Sequence, residues 1–437
     1  MIKKHSFLIN NCIVNIAVGC YNRIAKLVLG DVFMIKACVI GLGQRGHMLT
    51  RDVLLKIDKL EIVSVCDVYE DRIERTLETL KNANQTALGF TDYKEALAVE
   101  GVQAAFIFTD WSTHTEMAVY AMEHGIAVGS EVGCEYSLEN CYKLVKTWEK
   151  TRTPYMFMEN CCWGKDELLA TSAARKNMFG TVVHCAGSYS HDLRKEVSYG
   201  HVNRHYRFDN YKHRNCDNYP THEFGPIAKL LDINRGNRIL TVSSFASKAA
   251  GLEDYIKTRE DATDEMKNTK FLQGDIVTTV LTCANGETVT LRLDTTLPRS
   301  YSRDFTVRGT KGMYMQDVNM FFFDGDKEYF EPVNFYKESF NNGEKYEADL
   351  LPDCWKNITP EEIASGHGGM DFFAYNAFVD ALIAGDEMPI DVYDAATWQA
   401  ISVLSEMSIA QGGMPQAMPD FTNGKWQTRP RKDVCEF

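Results

Sequence analysis

The chain has 437 residues, 45% apolar and 24% charged, enough for two to three globular domains. Its formal net charge is −13 and it has no Lys/Arg run, which argues against nucleic acid and anionic membrane surfaces as partners. Thirteen cysteines include no C-x-x-C pair and no zinc-like Cys/His spacing, so no metal is expected. The adjacent Cys161 and Cys162 read as reduced, buried thiols of a cytoplasmic protein.

Residues 1–33 open with Lys3, Lys4 and an apolar run to Cys20, a faint likeness to a lipoprotein leader. Asn10, Asn11 and Asn15 interrupt that run, which is too short and polar to span a bilayer. The expectation is that the fold starts at Met34 and that 1–33 is a leader or a misassigned start.

From Met34 an apolar run, Lys36–Ile40, feeds the turn Gly41-Leu42-Gly43-Gln44-Arg45-Gly46, and helical apolar spacing follows over Met48–Ile57. This is the setting of a dinucleotide fingerprint. Gly41 allows the tight turn, Gly43 admits a pyrophosphate, Gly46 lets helix pack on strand, and the anion rests on the helix N-terminus. A second strand, Glu61–Cys66, ends in Asp67. A carboxylate there can take both ribose hydroxyls and repels a 2′-phosphate, which points to NAD rather than NADP.

Further runs follow at Ala104–Thr109, Ala127–Ser130 and Tyr155–Met158. Helical segments lie between the runs, at Asp71–Leu80, Thr113–His124 and Leu138–Lys150. Strand–helix alternation of this kind predicts a parallel sheet with ligand at the carboxyl ends of its strands. Asp110-Trp111-Ser112-Thr113-His114, Glu131-Val132 and Glu159-Asn160 fall at those ends. The predicted fold class is α/β. A Rossmann domain over 34–160 precedes an α+β substrate domain with a largely antiparallel sheet over 161–437.

In that second part a helix (Asp166–Lys176) leads to a strand (Val182–Tyr189). A polar, aromatic and His-rich loop region runs from His191 to Tyr219, and a helix from His222 to Leu231. Strands are expected at Ile276–Thr282, Thr288–Asp294, Arg303–Arg308, Gly312–Gln316 and Met320–Phe323, with Asn285-Gly286 as a type I′ turn signal. Residues 331–369 read as an irregular surface excursion. Two late helices follow, one with Phe372, Tyr375, Val379, Leu382 and Ile383 on one face, the other over about Ala395–Ala410.

The densest chemistry lies between Tyr189 and His222. Pro220 fixes its own φ, and Thr221 suits a helix cap. His222 would then lie in the first helical turn, where the dipole favours a neutral imidazole able to take an alcohol proton near a nicotinamide. A structural histidine satisfied by backbone is the alternative. Arg207 and Arg214 could grip sugar hydroxyls or an acetamide, or serve as ordinary salt-bridge residues.

Several stretches in one order carry a family resemblance. They are the turn at 41–46, Met158-Glu159-Asn160-Cys161-Cys162-Trp163, Tyr189-Ser190-His191-Asp192-Leu193-Arg194, Tyr219-Pro220-Thr221-His222, Ile233-Asn234-Arg235-Gly236, and Pro298-Arg299-Ser300-Tyr301-Ser302-Arg303. From Met34 to about Gly413 the chain resembles the Gfo/Idh/MocA oxidoreductases. Within them it is most similar to glycoside hydrolase family 109, the NAD-dependent α-N-acetylgalactosaminidases.

The resemblance implies NAD contacts from Gln44, Arg45, Asp67, Trp111, His114, Glu131, Val132 and Asn160. It implies sugar contacts from Tyr189, Arg207, Tyr219, His222 and Tyr301, with His222, Tyr219 and Tyr189 as catalytic candidates. The implied reaction is hydrolysis of a small glycoside by transient C3 oxidation, elimination, water addition and re-reduction. Plain oxidoreductases of the wider family have Glu-Lys-Pro where this chain has Glu131-Val132-Gly133, and Val132 cannot replace their lysine. Two departures run the other way: Cys216 after Arg214-Asn215, and Glu223 after His222, at positions where the glycosidases carry glycine. Glu223 beside the base could alter which sugar fits.

A net NAD-dependent sugar or polyol oxidoreductase is the alternative, and an NAD-bound sensor without turnover a third reading. A homo-oligomer is compatible with the sequence, which does not fix the number of copies.

Overall fold

A computed structural model describes residues 34–437; the leader or misassigned start expected over 1–33 lies outside the described residues. β1 (Ile35–Ile40), β2 (Leu60–Cys66), β3 (Leu88–Phe90), β4 (Ala104–Ile107), β5 (Ala127–Ser130) and β6 (Tyr155–Phe157) form one sheet in the order β3-β2-β1-β4-β5-β6, paired in parallel throughout. These strands are near-continuous apolar runs because helices cover both faces. The order reverses between β1 and β4, and the crevice above that switch point is where such sheets take ligand.

Helices α1 (Gln44–Asp52), α2 (Glu70–Asn82), α3 (His114–Glu123) and α4 (Leu138–Thr151) make the crossovers. α1 starts at Gln44, inside the glycine motif and earlier than the apolar spacing suggested, and ends at Asp52 before a 3-10 turn over Leu54–Lys56. α5 (Lys165–Arg175) leads into the second unit.

That unit is an eight-stranded sheet. Its strands are β7 (Val182–Ser190), β8 (Ile239–Ala246), β9 (Ile276–Cys283), β10 (Thr288–Asp294), β11 (Thr306–Gly309), β12 (Gly312–Met315), β13 (Met320–Phe323) and β14 (Gln416–Ala417), in the order β13-β12-β11-β7-β10-β9-β8-β14. Its pairs are antiparallel except the central β7–β10 pair, which is parallel. β9 and β10 alternate buried and half-buried residues, so one face meets the core. α6 (Pro220–Leu230) packs on β7. α7 (Met370–Ala384) packs on the 3-10 turn at Asn160–Trp163, and α8 (Val392–Ala410) lies between β8 and α4. α8 is buried along most of its length, and so welds the two sheets into one body.

Several expectations are corrected. β3, β8 and β14 were not anticipated. The strand expected over Arg303–Arg308 starts at Thr306, because Asp304 takes a left-handed φ of +47° and interrupts the ladder. The β9–β10 turn is not type I′, which needs two left-handed residues: Gly286 has φ +98°, but Asn285 is not left-handed. The region expected as loop over 191–219 contains short helices at Arg194–Ser198, Gly200–Asn203 and Arg207–His213. The excursion at 331–369 holds several helical turns and is anchored where the Trp355 indole donates to the Trp163 carbonyl at 2.9 Å. Among the described residues no helix is long and apolar enough to cross a membrane.

Candidate active site

The glycine turn has the shape a pyrophosphate needs. Gly41 is left-handed at φ +92°, and a Cβ on Gly46 would meet the Gly41 carbonyl at 1.9 Å, so helix and strand close only over glycine. A Cβ on Gly43 would meet only the tip of Arg72, at 3.5 Å, which leaves that side open. No side chain caps α1, so the first N–H groups, at the exposed Gln44 and at Arg45, stay available to an anion. Asp67 is buried, accepting from the Leu42 N–H at 2.7 Å and the Tyr69 N–H at 3.0 Å, with Arg72 at 3.5 Å. Its carboxylate is therefore fixed beside the turn, as a ribose ligand must be. These residues fit a dinucleotide. Arg204, in the second unit, pairs bidentately with Asp71 at 2.8 and 3.0 Å and lies over the Tyr69 ring, so the loop after β7 covers this end of the crevice.

Of the other expected cofactor residues, Arg45, Glu131 and Asn160 share one polar network. Arg45 does not simply reach outward: it makes a bidentate pair with Asp371 at 2.8 and 2.9 Å and contacts Glu131 at 3.1 Å. Glu131 accepts from the Tyr375 hydroxyl at 2.6 Å, and the Asn160 amide donates to Asp371 at 2.7 Å. Burial pushes the Asp371 carboxyl upward, but Arg45 and the hydrogen bonds hold it well below the usual carboxylate range. Asp371 and Tyr375 were missed as site residues, because on α7 they are hidden in an apolar pattern far along the chain.

Trp111 lies against Gly133, where a Cβ would strike the indole at 2.3 Å, and Val132 is buried beside it. The His114 Nε2 is 3.0 Å from the Thr109 carbonyl, and burial lowers its pKa, so it is a neutral ring facing its own strand end.

The second cluster converges as expected. Tyr189, Tyr219 and His222 form a triangle with ring centroids 4.7 to 5.3 Å apart. Trp111 is 5.4 Å from Tyr219, which joins this cluster to the cofactor crevice. The buried Arg207 guanidinium lies over the Tyr219 ring at 5.1 Å and pairs with Glu196 at 3.2 Å. Tyr301, 48% exposed, forms the rim and contacts the His191 ring at 5.3 Å. Burial raises the phenols of Tyr189 and Tyr219 despite the neighbouring Arg207, so neither rests as a phenolate.

The residue that changes this site is Glu159. It is fully buried behind β6, and its two oxygens are 2.7 and 2.9 Å from His222 Nδ1. Burial pushes this carboxyl up, but the charge and hydrogen bond of His222 and the Cys161 N–H hold it below its ordinary value. The pair fixes the proton on Nδ1 and leaves Nε2 as the acceptor. The expectation for His222 rested on the helix dipole alone; the carboxylate is a second determinant. Glu159 stood in a cluster recognised at a strand end, where the available signal was an acid one residue before Asn160. Thr221 does not cap α6: the helix starts at Pro220, and Tyr219 occupies the N-cap without a side-chain bond.

Two expected polar groups are structural. Arg214 donates to Glu406, the Cys134 sulfur and the Glu135 carbonyl, away from the aromatic cluster. Glu223 does not face a sugar. It is buried under β7 and β10, accepting from the Tyr189 and Arg292 N–H groups at 3.2 and 2.9 Å. Burial, then the neighbouring Asp217, raises its carboxyl well above the ordinary value. Its folded pKa exceeds the unfolded one, so the folded state binds more protons and stability falls as pH rises above the unfolded value. Glu223→Gln copies the protonated group. It is expected to be more stable than the parent at pH 8. The difference should close near pH 4 in urea unfolding; a constant difference at both values overturns this assignment.

Residues 35–158 match the family model of the Gfo/Idh/MocA oxidoreductases, an NAD-binding Rossmann fold, and residues 163–428 match the C-terminal domain of glycosyl hydrolase 109. The chain belongs to glycosyl hydrolase family 109. A family 109 protein from Stenotrophomonas maltophilia is 37% identical over 428 residues, 92% of each chain. An α-N-acetylgalactosaminidase from Tannerella forsythia is 34% identical, covering 90% of this chain and 87% of its own. In fold, the chain is similar to levoglucosan dehydrogenase in complex with NADH and levoglucosan, at a TM-score of 0.66 and 15% identity over 88% of this chain and all of that one. The protein is thus a sugar-active enzyme whose residues 35–158 form an NAD-binding Rossmann domain.

Proposed function

We propose that this enzyme is an NAD-dependent glycosidase of α-N-acetylgalactosaminidase type, with 34–160 binding the cofactor and 161–437 the sugar. The observation that carries this reading is the Glu159–His222 pair set among Tyr189, Tyr219 and Arg207, one aromatic contact from the crevice. When bound, NAD supplies reversible hydride acceptance from C3 of the sugar, so the net reaction is hydrolysis.

His222 Nε2 takes the C3 hydroxyl proton, and the Tyr219 hydroxyl holds the oxygen. The C3 ketone acidifies the C2 hydrogen, which passes as a proton to a water held by the Tyr189 hydroxyl. Arg207 and Tyr301 orient the ring and its substituents. Loss of the anomeric group and addition of water at C1 follow, without a carboxylate pair flanking the bond, as in other exceptions to the two-carboxylate scheme. Gly41, Gly43, Gln44, Arg45, Gly46, Asp67, Trp111, His114, Glu131, Val132 and Asn160 form the cofactor side. Val132, in place of a lysine, favours hydrolysis over net oxidation. The free cysteines among the described residues support a reducing, cytoplasmic compartment.

The test is an aryl α-N-acetylgalactosaminide with NAD present, following phenol and NADH together. Phenol release without accumulating NADH is expected; stoichiometric NADH would make the enzyme a net oxidoreductase.

Cofactor choice is tested separately. Asp67→Ala is expected to weaken NAD binding by about 1–3 kcal/mol, the cost of leaving hydrogen-bonded groups unpaired. Equal affinity for NAD in variant and parent by calorimetry, or tighter NADP binding by the parent, counts against Asp67 as the ribose ligand.

A further inference from the structure

Glu159, Cys161 and His222 present three different metal-ligand atoms at one point. The carboxylate, thiol and imidazole atoms lie within 4.8 Å of one another. Glu159 also accepts from the Cys161 N–H at 3.0 Å, which ties the two ligand-bearing residues into one turn. The Cys161 thiol is 3.5 Å from the Asn160 side-chain oxygen, a weak and replaceable partner. Glu159 and Cys161 are buried and His222 is half-buried, so a cation arriving here is held away from bulk water. Sequence spacing could not reveal this set, because α6 brings His222 to the other two from far along the chain.

We propose that Glu159, Cys161 and His222 form a binding site for a thiophilic divalent cation such as Zn²⁺, and that its occupation switches the enzyme off. Mixed carboxylate, thiolate and imidazole donors suit zinc, whose bonds of about 2.0–2.3 Å put tetrahedral ligand atoms roughly 3–4 Å apart. The Glu159–His222 contact at 2.7 Å needs to open by only a fraction of an ångström. On binding, the Cys161 thiol releases its proton to solvent. Carboxylate and thiolate then neutralise the dication. His222 turns its Nδ1 lone pair to the metal, so its proton moves to Nε2. The imidazole then has no nitrogen free to accept a proton. Binding does not depend on the proposed function; inhibition rests on the role proposed there for His222.

The full-length, NAD-loaded protein is titrated with Co²⁺, whose bond to a thiolate gives a near-ultraviolet charge-transfer absorbance. One equivalent per chain, displaced by Zn²⁺, is expected. Cys161→Ser should lose the band and weaken Zn²⁺ binding at least about 10-fold, the loss that even an outer partner of a metal ligand produces. Cys162→Ala, altering the neighbouring thiol, should keep it. Absence of a band in the parent overturns the site, as does a band that survives Cys161→Ser. A band that follows Cys161 while saturating Zn²⁺ leaves turnover unchanged upholds the site, but overturns the switch and counts against His222 as the base.

Discussion

His222→Ala is expected to keep the fold and the bound NAD while losing roughly 10²–10⁴-fold in turnover, the range for a general base. Three facts support the large effect. His222 lies in the first turn of α6, so backbone fixes it rather than chance packing. Glu159 holds Nδ1, which leaves Nε2 without that partner. Burial holds the phenols of Tyr189 and Tyr219 above their ordinary values, so neither is a ready substitute. The variant should also stop the C2 hydrogen from exchanging with deuterated water, because exchange requires the C3 ketone first. A variant that still washes deuterium into C2 at the parent rate makes His222 a binding residue and moves the search to the two tyrosines.

Local signals made much of this fold legible. The glycine turn and Asp67 were readable because their spacing serves backbone geometry and one hydrogen-bonded acid, both close in sequence. β5, β10 and β13 fall where the apolar runs put them. β8 was missed although its residues are strand-like, since it follows the tight Asn234–Gly236 turn and borders α8, where no hairpin partner is adjacent in sequence. The parallel β7–β10 pair was equally invisible, because pairing direction is a property of the crossover between them and not of either strand.

Site residues divide in the same way. Tyr189, Tyr219 and His222, expected together from two short stretches, are brought into ring contact by one strand and one helix. Asp371 and Tyr375 sit on a helix whose apolar face dominates its pattern, yet both join the buried network of Arg45 and Glu131. Arg45 could not be read correctly without them: its guanidinium belongs to a buried network with Asp371 and Glu131 as much as to any phosphate. Glu223 shows the opposite error, a carboxylate next to His222 in sequence whose helix position turns it under the sheet.

Glu159→Gln separates positioning from proton transfer. The amide has the size of the carboxylate, so packing behind β6 is kept, but it can donate as well as accept. It no longer compels the proton onto His222 Nδ1, and the opposite tautomer blocks Nε2. By analogy with the serine-protease triad, where an equivalent acid-to-amide change costs about 10⁴-fold, turnover should fall roughly 10²–10⁴-fold. KM should change little, because Glu159 is fully buried and cannot touch the sugar. Stability carries an independent signature. The folded pKa of Glu159 is held below the unfolded one, so its contribution is present above the ordinary Glu value and is lost as pH falls through the lower, folded value. Glu159→Gln should therefore be less stable than the parent at pH 7 by about 1–2 kcal/mol, the difference between a hydrogen bond to a charged group and a neutral one, with the gap narrowing in acid. A variant whose turnover stays within about 3-fold of the parent, well outside the general-base range, removes Glu159 from the proton path. If it also shows the pH-dependent loss of stability, Glu159 is a structural partner of His222 and nothing more.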